Sequence, residues 1–237
     1  MERSGQGAFA IVPVIDLRHG VVVRARAGDR ASYAPIQTPL CDTADPVDVA
    51  QALLRAVPAE RLYIADLDAI EGRGANLEAL RRIARTCAPI ELWVDAGFST
   101  EAAAAAFLDQ GIGRPVLGTE SQSDETLLRA LGDRAVLSLD SRGDAPLGPA
   151  RLHDDASLWP RDVIVMTLAR VGSGAGPDLR AIADVKRRAP GARVFAAGGL
   201  RGPEDIAPLV AAGAAGALVA SAIHDGRLRR EHLRVPP

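Results

Sequence analysis

Two aspartates share one local setting in this chain. Val14-Ile-Asp-Leu-Arg18 holds Asp16, and Ser138-Leu-Asp-Ser-Arg142 holds Asp140. Each closes a short apolar run that reads as a β-strand, and each is followed two residues on by arginine. Carboxyl groups at the ends of two strands can act as a pair, one taking a proton from a bound molecule while the other gives one. That is what an isomerisation between adjacent atoms requires. A single aspartate at a strand end reads as a loop cap; two in matched settings point to chemistry.

Small residues form the second pattern. Gly97 and Gly118, with Thr119 beside it, end strands in the first half; Gly198, Gly199 and Ala220 do so in the second. Backbone N–H groups there can approach an anion closely, and Ser221 and Arg201 would add a hydroxyl and a charge. The doubled pattern suggests two phosphate sites facing each other across the aspartates. The first is the weaker, because Asp95 would repel the phosphate its neighbours attract.

Other polar groups read differently. Asp66, Asp68 and Glu71 lie in one loop, but no histidine joins them and their order is not a calcium loop. Asp66 reads as a hydrogen-bonding group for substrate, the others as loop structure, and no metal site is expected. His19, three residues past Asp16, could reach the same mouth. The only lysine, Lys186, sits in a basic helical turn and reads as a surface residue, which argues against imine chemistry.

The elements that must position these groups alternate along the chain. Strands are expected at Ala10–Asp16, Arg61–Asp66, Ile90–Asp95, Pro115–Gly118, Ala135–Asp140, Asp162–Thr167, Arg193–Ala197 and Ala217–Ala220. Amphipathic stretches between them include one opened by Asp45-Pro46 and others at Asn76–Thr86, Thr100–Gln110, Asp124–Leu131, Asp178–Ala189 and Pro203–Ala212. The pattern predicts a (β/α)8 barrel, one domain over residues 1–237. The glycines and prolines between Asp140 and Arg161 leave room for only a reduced fifth helix. An internal repeat supports two (β/α)4 halves: Gly97 matches Gly199 and Gly118 matches Ala220 at one constant offset of 102 residues.

Composition narrows the partners. Of 237 residues, 48% are hydrophobic, and the formal net charge is −2. No whole-protein field favours nucleic acid or an anionic membrane. Aromatics at 3% are too few for base-stacking platforms. Cys41 and Cys87 form no metal spacing or disulfide framework, no apolar leader or span is evident, and a cytoplasmic location is expected. The expected partner is a small phosphorylated substrate.

Val12-Pro-Val-Ile-Asp-Leu-Arg-His-Gly20, Asp45-Pro46, Asp66-Leu-Asp-Ala-Ile-Glu-Gly72, Ser138-Leu-Asp-Ser-Arg-Gly143 and Ala196-Ala-Gly-Gly199 together resemble the HisA/HisF family of biosynthetic barrels. Ile15-Asp-Leu places the chain nearer the isomerase branch than the cyclase. The resemblance implies an Amadori rearrangement without metal or cofactor, with Asp16 as base and Asp140 as acid, on a substrate bearing a phosphate at each end. It also adds Thr167 as a retained site residue. Two loops depart from the family: Asp95-Ala-Gly-Phe-Ser99 stands for Gly-Gly-Gly-Ile-Arg, and Thr167-Leu-Ala-Arg-Val-Gly-Ser173 lacks both family acids. The chain is also similar to a HisA-related branch of methane-producing archaea and methyl-using bacteria, which implies one-carbon-carrier metabolism. Open beside these is a barrel that binds a phosphorylated metabolite without turning it over.

Overall fold

The computed structural model describes residues 9–24 and 33–233, so residues 1–8, in which no apolar leader is expected, lie outside the described residues. Eight parallel strands form a ring: β1 (Ala10–Arg18), β2 (Arg61–Asp66), β3 (Glu91–Asp95), β4 (Arg114–Gly118), β5 (Val136–Arg142), β6 (Asp162–Thr167), β7 (Arg193–Ala197) and β8 (Gly216–Val219). Sequence neighbours pair in order, and β8 pairs with β1, Ala10 opposite Gly216, to close the barrel. The expected (β/α)8 fold is the one observed.

Helices follow the strands: α1 (Pro46–Ala56), α2 (Leu77–Thr86), α3 (Glu101–Leu108), α4 (Thr126–Leu131), α5 (Ala150–Asp154), α6 (Leu179–Arg188) and α7 (Ile206–Ala211) cover the outside, and the one-turn α8 (Ser221–His224) borders the cavity. The Asp45 carboxylate caps α1 by accepting from the Val47 and Asp48 N–H groups, with Pro46 fixing its first turn. The fifth helix has 5 residues, reduced as its glycines and prolines dictate. Among the described residues no helix is long and apolar enough to cross a membrane.

The halves repeat in a way finer than helix order. Both β1 and β5 run past their aspartates and fold back as antiparallel ribbons. Arg18 pairs with Val21 in the first ribbon, and Arg142 pairs with Ala145 in the second.

Two apolar layers hold the barrel. One lies between strands and helices and contains Leu17, Leu53, Ile83 and Leu117; the other fills the barrel with Val12, Tyr63, Trp93, Val116, Phe195 and Leu218. Side chains alternate along a strand, so every second residue points inward. Trp93 packs edge-on against Phe195 with ring centroids 4.9 Å apart.

Below the rings the inward residues are charged. Buried Asp162 accepts from Arg114 at 2.6 Å and from Arg193 at 2.6 and 2.7 Å, and Arg61 pairs with Glu91 at 3.3 Å. The guanidinium groups of Arg61 and Arg114 lie 5.7 and 6.0 Å from the Trp93 ring centroid, close enough for cation–π attraction. The barrel floor is an ionic plug.

Candidate active site

Above the rings the same alternation turns acidic. Counting upward by twos, Trp93 leads to Asp95 on β3, Val14 to Asp16 on β1, and Ser138 to Asp140 on β5. All three aspartates line a cavity of about 730 Å³ at the carboxyl ends of the strands, with Glu120 from the loop after β4. This is the face on which the fold carries its chemistry. In an eight-membered ring β1 and β5 are four strands apart in either direction, so Asp16 and Asp140 enter from opposing walls.

Asp140 is buried, 5% exposed, at the end of β5. Burial pushes its pKa up to about 7, against a 2.6 Å hydrogen bond from Ser138 Oγ that favours the ionised form; the charge of Asp95 raises it further. The Glu120 N–H donates to Asp140 Oδ2 at 3.2 Å, and the Asp140 N–H donates to Thr119 Oγ1 at 2.9 Å. The result is a carboxyl group held in one orientation and able to carry a proton near neutrality.

Tyr63 lies beneath this group. Its hydroxyl donates to Asp95 Oδ2 at 3.2 Å, while Asp95 Oδ1 accepts the Gly97 N–H at 3.1 Å. Burial, and then the charges of Asp95, Asp140 and Asp16, raise the phenol well above its ordinary range, so it stays a proton donor. Sequence reasoning named Asp95 only as an obstacle and did not single out Tyr63. The alternation Glu91, Trp93, Asp95 is the signal that marks Asp95 as inward.

The opposite wall differs. Gly198, Gly199, Ala220 and Ser221 line the cavity together with Arg227. Gly198 and Gly199 take φ of +95° and +90°, and a Cβ on Gly199 would lie 2.2 Å from the Gly176 carbonyl oxygen. Only glycine fits under that loop. His224, buried beside Ser221, contacts Thr38 Oγ1 at 3.1 Å; burial, helped by the charge of Arg24, depresses its pKa to about 4, so it is neutral. Arg24 and Arg142 also border the cavity.

Several residues expected in the site are not on this surface. Asp66 is fully buried and accepts from the Asn76 N–H and side chain at 2.7 Å each and from Ala69 N–H at 3.2 Å, so it orders its loop. Gly97 packs on the one-turn helix Leu67–Ile70, where a Cβ would meet Ile70 Cα at 3.0 Å. Thr119 is buried behind Asp140, and Thr167 is buried with its hydroxyl 3.5 Å from Asp178 Oδ2. Gly118 makes room for carboxylates: the site of its missing Cβ is pressed by Asp140 Oδ2. Arg201 is held by the Asp205 carboxylate, and the cavity is lined instead by Arg227, itself paired with Asp225 at 3.0 Å.

The remaining candidates are structural. Asp68 accepts from the His19 N–H and Asn76, and Glu71 from Arg18 at 2.8 and 2.9 Å. Lys186 donates to the Pro190 and Ala192 carbonyls on the barrel's outside.

The chain matches the family model described as "Histidine biosynthesis protein" over residues 10–229. It belongs to the HisA/HisF family. Among relatives of this HisA/HisF member, a protein of Thermus thermophilus named 1-(5-phosphoribosyl)-5-((5-phosphoribosylamino)methylideneamino) imidazole-4-carboxamide isomerase is 32% identical, with 92% of this chain and 96% of the relative aligned. A protein of the same name from Rubrobacter xylanophilus is 33% identical over 95% of both chains. An uncharacterized protein of Methanocaldococcus jannaschii is 29% identical, with 94% of this chain and 96% of the relative aligned.

Proposed function

We propose that this HisA/HisF member is an isomerase that performs an Amadori-type rearrangement on a phosphorylated aminosugar, with Asp140 as acid and Asp16 as base. The observation that carries the reading is the pair itself: two carboxyl groups on strands four apart in the ring, lining one cavity, the second titrating near 7. A general acid needs a pKa close to the working pH, and burial gives Asp140 that property.

The chemistry follows from the placement. Asp140 gives its proton to the sugar ring oxygen as the bond from that oxygen to C1 breaks. Asp16 takes the proton from C2, leaving an enol. Return of a proton to C1 and loss of the enol proton give the ketose, and both carboxyl groups end as they began. The wall of Gly198, Gly199, Ser221 and Arg227 suits the phosphate, where backbone N–H groups, a hydroxyl and a cation can converge.

A second reading concerns the substrate and not the chemistry. The names of the isomerase relatives specify a ribotide with two phosphoribosyl groups, and Asp95 on the inner wall favours a different phosphorylated compound here.

The test is turnover of an N-(5-phosphoribosyl)arylamine and of the relatives' named ribotide by the purified protein. One of them is expected to yield a ketose, and Asp16→Asn and Asp140→Asn each to slow it by ~10²–10⁴ with the circular dichroism unchanged. Turnover unaffected by either substitution, or none with both compounds, overturns the proposal.

A further inference from the structure

The two walls of the cavity are unequal in what they leave available to an anion. On the β7–β8 wall the cavity reaches Gly198, Gly199 and Ser221 directly. On the β3–β5 wall two backbone donors of the equivalent loops are already taken by the chain's own carboxylates. Asp95 Oδ1 accepts the Gly97 N–H at 3.1 Å, and Asp140 Oδ2 accepts the Glu120 N–H at 3.2 Å. Asp95 Oδ2 accepts the Tyr63 hydroxyl as well.

Space is closed in the same way. The position of a Cβ on Gly118 lies 2.9 Å from Asp140 Oδ2 and 3.6 Å from Asp95 Oδ2, so carboxylate oxygens fill the hollow this glycine leaves. A phosphate brought here would meet the negative charge of Asp95 and the carboxyl oxygens of Asp140 where it needs N–H groups. Gly97 has turned its back to the cavity and packs on Ile70.

We infer that Asp95 is a specificity-determining residue that shuts the β3–β5 loops against phosphate, so that the substrate carries one phosphate, bound on the β7–β8 wall. This rests on the proposed function for the phosphate end and goes beyond it in fixing the substrate class. The far end of such a substrate meets hydrogen-bond acceptors, and therefore presents donors.

Isothermal titration of the purified protein with ribose 5-phosphate and with ribose 1,5-bisphosphate tests this. The wild type is expected to bind both one to one with affinities within about threefold, because the second phosphate finds no donor. Asp95→Asn keeps an acceptor for Tyr63 and removes the charge, and is expected to raise bisphosphate affinity by about tenfold. A wild-type preference for the bisphosphate beyond threefold overturns the inference and leaves the acid–base roles of Asp16 and Asp140 standing. A folded Asp95→Asn protein with no gain overturns the part given to Asp95. Binding of neither sugar removes the phosphate end, and both readings with it. The wild-type comparison decides even where the variant fails to fold.

Discussion

Asp140 stands against the place where a side chain on Gly118 would be, with Oδ2 only 2.9 Å from the position of that missing Cβ. The smallest residue of β4 is therefore space reserved for the carboxyl group of β5. A strand-end glycine is usually read as an opening for a ligand; this one is an opening for a neighbour. Its φ of −70° is one that any residue adopts, so the requirement is room and not backbone freedom.

Gly118→Ala separates these two demands. The added methyl leaves the backbone unstrained but displaces Asp140, and a displacement of about 1 Å can lower turnover by roughly 10²-fold. Steady-state kinetics is expected to show the loss in kcat, with thermal unfolding nearly unchanged. Full activity would show that Asp140 has freedom to move.

The pH profile of kcat/KM tests the proposed acid, because it follows the ionisation of the free enzyme. As the proposed acid, Asp140 must be protonated to donate, so kcat/KM is expected to fall as pH rises through about 7. The negative charge of Asp95 is one of the causes of that raised value. In Asp95→Asn the alkaline limb is expected to move to lower pH, measured with a substrate turned over by both proteins. A shift upward would contradict the electrostatic link.

Stability carries the opposite face of the same burial. The folded-state pKa of Asp140 is raised, so its contribution is complete below the ordinary carboxylate value and is lost as pH rises toward and through about 7. Asp140→Asn abolishes that titration. Urea unfolding is expected to show the variant more stable than wild type by about 1–4 kcal/mol at pH 8, and much closer to it at pH 4.

Asp162 at the floor has the reverse sign. Burial alone would raise its pKa, but hydrogen bonds and charges from Arg193 and Arg114 outweigh that and hold it below the ordinary range. It therefore stabilises the fold at neutral pH and ceases to do so as pH falls through its depressed value. Asp162→Ala leaves two arginines without their shared partner and is expected to cost about 3–5 kcal/mol in denaturant unfolding at pH 7. The residue lies at the far end from the cavity, so KM of the folded fraction is expected to hold.

Much of the frame was legible from apolar runs and their punctuation. Arg61–Asp66, Asp162–Thr167 and Arg193–Ala197 have the expected bounds, because each buried strand is bracketed by polar turn residues. That Asp16 and Asp140 face one cavity was legible for a different reason, since a repeat exposes what a single site cannot. The ribbon extensions of β1 and β5 were not, because their pairing is set by partners across a turn and not by period. Gly97, Gly118 and Asp66 show the limit most clearly. A glycine signals that something comes close, and a buried aspartate signals that something donates. Whether that something is a ligand or Ile70, Asp140 or Asn76 is decided only by distant parts of the chain. Tyr63 carried no signal at all, since an aromatic residue in a core strand reads as packing.

The plug of Arg61, Glu91, Arg114, Asp162 and Arg193 has a consequence for traffic. With the floor sealed by paired charges under a layer of rings, the chamber is entered, among the described residues, from the carboxyl ends of the strands. A molecule that enters to be rearranged must leave by the way it came, and none can follow until it has gone. Product still in the chamber then occupies the space that fresh substrate needs.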